Sequence, residues 1–176
     1  MVLIGVFVLV TGCGLAGSDE TSVSGKTEQN QEEGAKEEQG EKLTCTISIS
    51  CASILDAMDK LDRAKKPFVP EDGWILKETT VTFTKGESVH DILKRVCIDE
   101  DIHMESSYTP MYDSAYGEGI GQLYEFDCGN ESGWMYKVND WFPNYGCSRY
   151  EAVEGDIIEW VYTCNLGTDV GNNSMK

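Results

Sequence analysis

The chain has 176 residues, with 31 Asp and Glu against 14 Lys and Arg, a formal charge of −17. So acidic a surface repels nucleic acid and anionic lipid, which excludes both as partners of the folded part. Hydrophobic residues make up 40% of the chain, enough for one domain of common size once the polar N-terminal stretch is set aside.

Residues 2–10 are almost wholly apolar and lead through Val10-Thr11-Gly12 into Cys13. The run is about half the ~20 residues a bilayer-spanning helix needs. It resembles a bacterial lipoprotein signal, which implies removal of 1–12 and diacylation of Cys13 as the new N-terminus. No Lys or Arg precedes the run, whereas export signals begin with positive charge, so the expected start lies upstream of Met1. Residues 18–42 carry eight acids and three bases with Val23 and Ala35 as the only apolar side chains. Such a segment buries too little to fold, and residues 13–42 are expected to form a disordered, self-repelling stalk.

Beyond Cys13 lie Cys45, Cys51, Cys97, Cys128, Cys147 and Cys164. Export permits disulfides, and an even count in one compact segment leads to an expectation of three bridges. Cys128 with Cys147 is the preferred pair, because both flank an expected hairpin; Cys51 is placed within reach of Cys97 or Cys164. No pair of cysteines has a zinc-binding gap and only two histidines exist, so no metal is expected.

Residues 43–50 alternate apolar and polar side chains, the period of a first strand. Ser53 is expected to cap a short helix carrying Ile54, Leu55, Met58 and Leu61. Residues 79–84 read as a second strand. Ser88 with Asp91 three residues on predicts the N-terminus of the main helix, striped by Val89, Ile92, Leu93, Val96 and Cys97. Residues 102–108 suggest a third strand, and 109–121, with four Gly or Pro, a long loop of the kind that carries binding. Residues 133–142 are expected to form an aromatic hairpin turning at Asn139-Asp140. Residues 157–164 form the last strand, apolar on both faces and therefore central.

Segregated strands and helix make an α+β plan. First and last strands side by side suggest a β-grasp-like mixed sheet with one main helix, disulfide-stapled, over 43–167, with a disordered tail at 168–176.

Ser132-Gly133-Trp134-Met135-Tyr136-Lys137-Val138-Asn139, then Pro143-Asn144-Tyr145-Gly146, then the stretch from Glu154-Gly155-Asp156 to Tyr162, resemble the transcobalamin-like C-terminal domain of many bacterial surface proteins. The resemblance covers about residues 79–163. In the eukaryotic vitamin B12 carriers this domain closes over cobalamin held chiefly by a separate helical barrel, and the hairpin region faces the ligand. Two features depart from the pattern: Asp140 stands where the family has Gly, and the six cysteines are not general to it. No segment of this sequence reads as the helical barrel.

The resulting expectation is a cell-surface binding module, lipid-anchored to the outer face of the membrane. Its ligand, a corrinoid such as cobalamin among the candidates, would meet Tyr112, Tyr116, Trp141, Phe142, Asn144 and Tyr145. Trp134 and Trp160 are expected in the core by alternation. The alternative is a structural or adhesive module that binds another envelope protein and takes no small ligand. Catalysis is not expected: there is no Gly-x-Ser-x-Gly elbow, and neither His90 nor His103 has an evident Ser or Asp partner.

Overall fold

The computed structural model describes residues 40–172, and the signal segment, Cys13 and nearly all of the expected stalk lie outside them. The described residues hold seven strands and one α-helix in two sheets. Strands β1 (Lys42–Ser50), β2 (Trp74–Thr84), β6 (Gly133–Val138) and β7 (Ile157–Thr163) form a sheet in the order β2-β1-β7-β6. β3 (Met104–Thr109), β4 (Ser114–Ile120) and β5 (Leu123–Tyr124) form the other. The α-helix α1 spans Val89–Asp99.

Central pairing of the first and last strands holds: β1 and β7 run parallel, with Ile47 beside Ile158 and Ile49 beside Trp160. The same parity continues outward, with Cys45 opposite Val81 on β2, and Tyr162, Trp160 and Ile158 opposite Trp134, Tyr136 and Val138 on β6. One face of four strands therefore carries the core, while Lys137 and Glu159 pair at 2.7 Å on the other. Ile157, expected to be covered like its neighbours, is 45% exposed, so β7 is apolar mainly on its core side.

α1 starts as its sequence predicts. The Ser88 hydroxyl accepts from the Asp91 N–H at 3.2 Å and the Asp91 carboxylate accepts from the Ser88 N–H at 3.0 Å, a complete capping box. Val89, Ile92, Leu93, Val96 and Cys97 are all buried in the one hydrophobic cluster.

Five expectations are corrected. The helix expected after Ser53 is a 3-10 turn, Ala52–Ala57, and Ser53 does not cap it, because its hydroxyl donates to the Tyr162 carbonyl. The expected loop 109–121 is mostly β4, paired antiparallel with β3 around a tip at 110–113. Glycine misled the pattern: a Cβ on Gly117 would meet the Trp160 ring at 3.2 Å and one on Gly119 the Tyr124 ring at 2.6 Å, so these glycines let a strand lie flat on rings. The turn at Asn139-Asp140 forms, both residues having positive φ (51° and 64°), as a tight hairpin turn demands. The return strand does not form. It ends at a single bridge between Val138 and Trp141, and the edge partner of β6 is β7.

The fourth correction is the disulfide framework. All six cysteines of the described residues are free thiols, and all are buried. The preferred pair is separated by the missing hairpin: Cys128 points its thiol at the Ala57 carbonyl (3.6 Å), whereas Cys147 donates to the Ala115 carbonyl (3.4 Å). Cys128 and Cys164 are neighbours instead, and burial together with the Cys128 thiol pushes the Cys164 pKa up. Ordered chain also continues past 167, through a 3-10 turn at Thr168–Val170 whose Asp169 carboxylate accepts from the Thr163 hydroxyl and the Cys164 N–H. Among the described residues no helix is long and apolar enough to cross a membrane.

Candidate functional site

A cleft of about 710 Å³ opens where the β3–β4 tip, β6 and the segment 143–149 meet. Its volume lies within the range of small-molecule sites. One wall is the tip and the start of β4, from Thr109 and Met111 to Gly117, including Tyr112, Asp113 and Tyr116. The floor is Trp134, Met135 and Tyr136 of β6 with Trp160 of β7, and the far wall is Pro143, Asn144, Tyr145, Gly146, Cys147 and Arg149.

Each wall is held by its own bonds. The Tyr116 hydroxyl donates to Glu125 at 2.9 Å, and burial with that carboxylate pushes its pKa up to about 12. The Tyr136 hydroxyl donates to the Tyr145 carbonyl at 2.9 Å, fixing the far wall to the floor, and burial raises its pKa as well. The Ser148 hydroxyl accepts from the Ala115 N–H at 2.8 Å and ties the same segment to β4. There is no room to spare at that junction: a Cβ on Gly146 would stand 1.7 Å from the Ser114 hydroxyl. The Tyr145 and Tyr150 rings stack at 6.4 Å, 16° from parallel, and Tyr136 lies against Trp160 at 5.7 Å.

Trp134 and Trp160 are core residues, 5% and 2% exposed, as alternation predicts, and they line the cleft as well. The Trp134 indole N–H donates to the Leu123 carbonyl at 2.8 Å. That of Trp160 has no hydrogen-bond partner among the described residues, an arrangement that costs roughly 1–3 kcal/mol for a buried donor.

Of the six residues expected to face a ligand, Tyr112, Tyr116, Asn144 and Tyr145 line the cleft together. Trp141 and Phe142 do not. Trp141 is half exposed and packs edge-on to Tyr145 at 6.1 Å, while Phe142 is partly buried in the turn. Met111, Gly146 and Arg149 also line the cleft without having been expected there, as does Trp160 in addition to its place in the core. For Arg149 a signal existed: residues 96–167 contain only two bases, Lys137 and Arg149, against fourteen acids. No group of three or more His, Cys, Asp or Glu among the described residues could hold a metal ion.

Residues 86–164 match the model of a family described as a domain of unknown function (DUF4430). Haptocorrin in complex with Cbi is similar in structure, with a TM-score of 0.51 at 12% identity over 72% of this chain. The match covers 26% of the haptocorrin chain, so this chain spans about a quarter of it, and at that identity the likeness is one of fold. A protein from Ruminococcus gnavus ATCC 29149 suggested to bind metal aligns with a TM-score of 0.41 at 12% identity, over 69% of this chain and 96% of its own. No curated protein matches the sequence.

Proposed function

We propose that this chain is a cell-surface ligand-binding module, lipid-anchored through Cys13, whose cleft takes a bulky ligand with flat apolar faces. The observation that carries the reading is the cleft itself: about 710 Å³, walled by Tyr112, Tyr116 and Tyr145 over a tryptophan floor. Ring faces of this kind contact extended planar or ring-shaped ligands at little conformational cost. The DUF4430 match and the fold shared with a protein solved with Cbi support the transcobalamin-like resemblance and make a corrinoid the first ligand class to test. The parallel central pair with antiparallel flanks supports reading the four-stranded sheet as β-grasp-like. Binding is favoured over catalysis because three hydroxyls at the cleft are engaged in holding its walls: Tyr116 on Glu125, Tyr136 on the Tyr145 carbonyl, Ser148 on Ala115.

The test is a titration of the full chain with cobalamin, followed by tryptophan fluorescence, since Trp134 and Trp160 line the cleft. Saturable quenching that the Tyr112→Ala, Tyr145→Ala double variant weakens at least tenfold, with its unfolding midpoint nearly unchanged, supports the corrinoid reading. Absence of any saturable change removes the corrinoid. A second reading then gains weight, in which the β3–β4 tip docks another envelope protein, because Met111 and Tyr112 are 83% and 68% exposed there. The anchor is tested separately: Cys13→Ala should release the protein from membranes, and retention would overturn it.

A further inference from the structure

We propose that the ligand of the cleft carries a negatively charged group, a carboxylate, sulfonate or phosphate, and that Arg149 receives it. This rests on the reading of the cleft as a ligand site. Lys137, the only other base in residues 96–167, is locked between Glu159 at 2.7 Å and Asp140 at 3.2 Å. Arg149 lines the cleft, is exposed, and has no ion pair among the described residues. In a chain of charge −17 with fourteen acids in that stretch, an unpaired guanidinium at a concave aromatic surface is a positive spot in a negative field. Asp113 is the other charged residue of the lining, and its carboxylate already accepts the Tyr108 hydroxyl.

The backbone under Arg149 is fixed. Its N–H donates to the Gly146 carbonyl at 3.0 Å, Cys147 beside it is buried, Ser148 is bonded to β4, and the next residue, Tyr150, stacks on Tyr145. The planar fork of a guanidinium on such a base suits two parallel hydrogen bonds to a carboxylate or phosphate. The ring body of the same ligand would then lie against Tyr112, Tyr116 and Tyr145. A cationic ligand would need no arginine there, because the domain already attracts cations through its net charge.

Three probes of one shape separate these possibilities in calorimetric titrations of the full chain: 1-naphthyl phosphate, 1-naphthol and 1-naphthylmethylammonium. The phosphate should bind most tightly and lose affinity as salt is raised, as expected of an exposed charge pair. Arg149→Gln should weaken the phosphate about tenfold and leave naphthol unchanged, Arg149→Lys should recover part of the loss, and Lys94→Gln on α1 should change neither. If naphthol and the phosphate bind the parent equally, or Arg149→Gln leaves the phosphate unaffected, the anion inference fails while the cleft reading stands. Preference for the ammonium probe likewise overturns the inference. If no probe binds the parent chain, the cleft reading itself has failed and the inference with it.

Discussion

Gly146 shows how little tolerance the site has at single positions. A methyl group there would overlap the Ser114 hydroxyl at 1.7 Å, stand 2.6 Å from the Ser114 Cβ and 3.0 Å from the Ala115 carbonyl, so Gly146→Ala must push the far wall off β4. Overpacking of this kind costs about 1–3 kcal/mol, and chemical denaturation of the variant should show a loss of that size, partly recovered when Ser114→Gly is added. The thiols make a second residue-scale prediction. Burial pushes Cys45, Cys51 and Cys147 up to about 11 and Cys97 up to about 12. At pH 8 these groups hold a thiolate fraction of about one in a thousand or less. The native protein should therefore react negligibly with a disulfide reagent such as DTNB, and all six domain thiols should react once the chain is unfolded without reductant. Fewer than six would mean that bridges form after all.

At the scale of elements, α1 and the central strands were the most legible parts, because each carries its signal locally. Ser88 and Asp91 announce a helix start by spacing alone, and β1 alternates without interruption. Ser88→Ala removes both the hydroxyl that caps the Asp91 N–H and a partner of the Asp91 carboxylate, and should destabilise by about 1 kcal/mol. The same box sets a pH dependence. Partial burial works against ionisation of Asp91, but the bonds from Ser88 outweigh it and hold the carboxyl below its usual range. A lowered folded pKa means that this contribution is present above the ordinary carboxylate pKa and is lost as pH falls through the folded one. Urea midpoints between pH 5 and 2 should thus fall less steeply in Ser88→Ala than in the parent. β4 was illegible because Gly117 and Gly119, which read as loop residues, are there to let rings approach the strand. The site was legible by halves for a related reason. Tyr112 and Tyr116 follow from the expected loop at 109–121 and Tyr145 from its place beside a turn, but Trp141 and Phe142, expected to face the ligand from the same turn region, stand outside the cleft where the chain leaves β6 after one bridge. Alternation placed Trp134 and Trp160 in the core correctly, yet cannot say that the far side of a core ring is the floor of a cleft.

Across the whole molecule, protection should follow the sheet order. β1 and β7 are central, flanked on both edges, so their amides should exchange with solvent hydrogen slowest, and those of the exposed tip at 110–113 fastest. The partnership of β1 and β7 has a further consequence in time. The Thr44 N–H is bonded to the Glu154 carboxylate 110 positions along the chain, and Thr46 pairs with Ile157 just beyond. Closing so long a loop must precede any reward from the pairing, so high contact order makes folding slow. A nascent chain that has not yet delivered Ile157–Thr163 holds β1 with one edge unsatisfied, and the core cannot close around it. Polypeptides halted at residue 150 should stay protease-sensitive, and protection should appear abruptly once β7 is present rather than grow strand by strand. The domain matures only once β7 has been delivered, with β1 waiting longest for a partner.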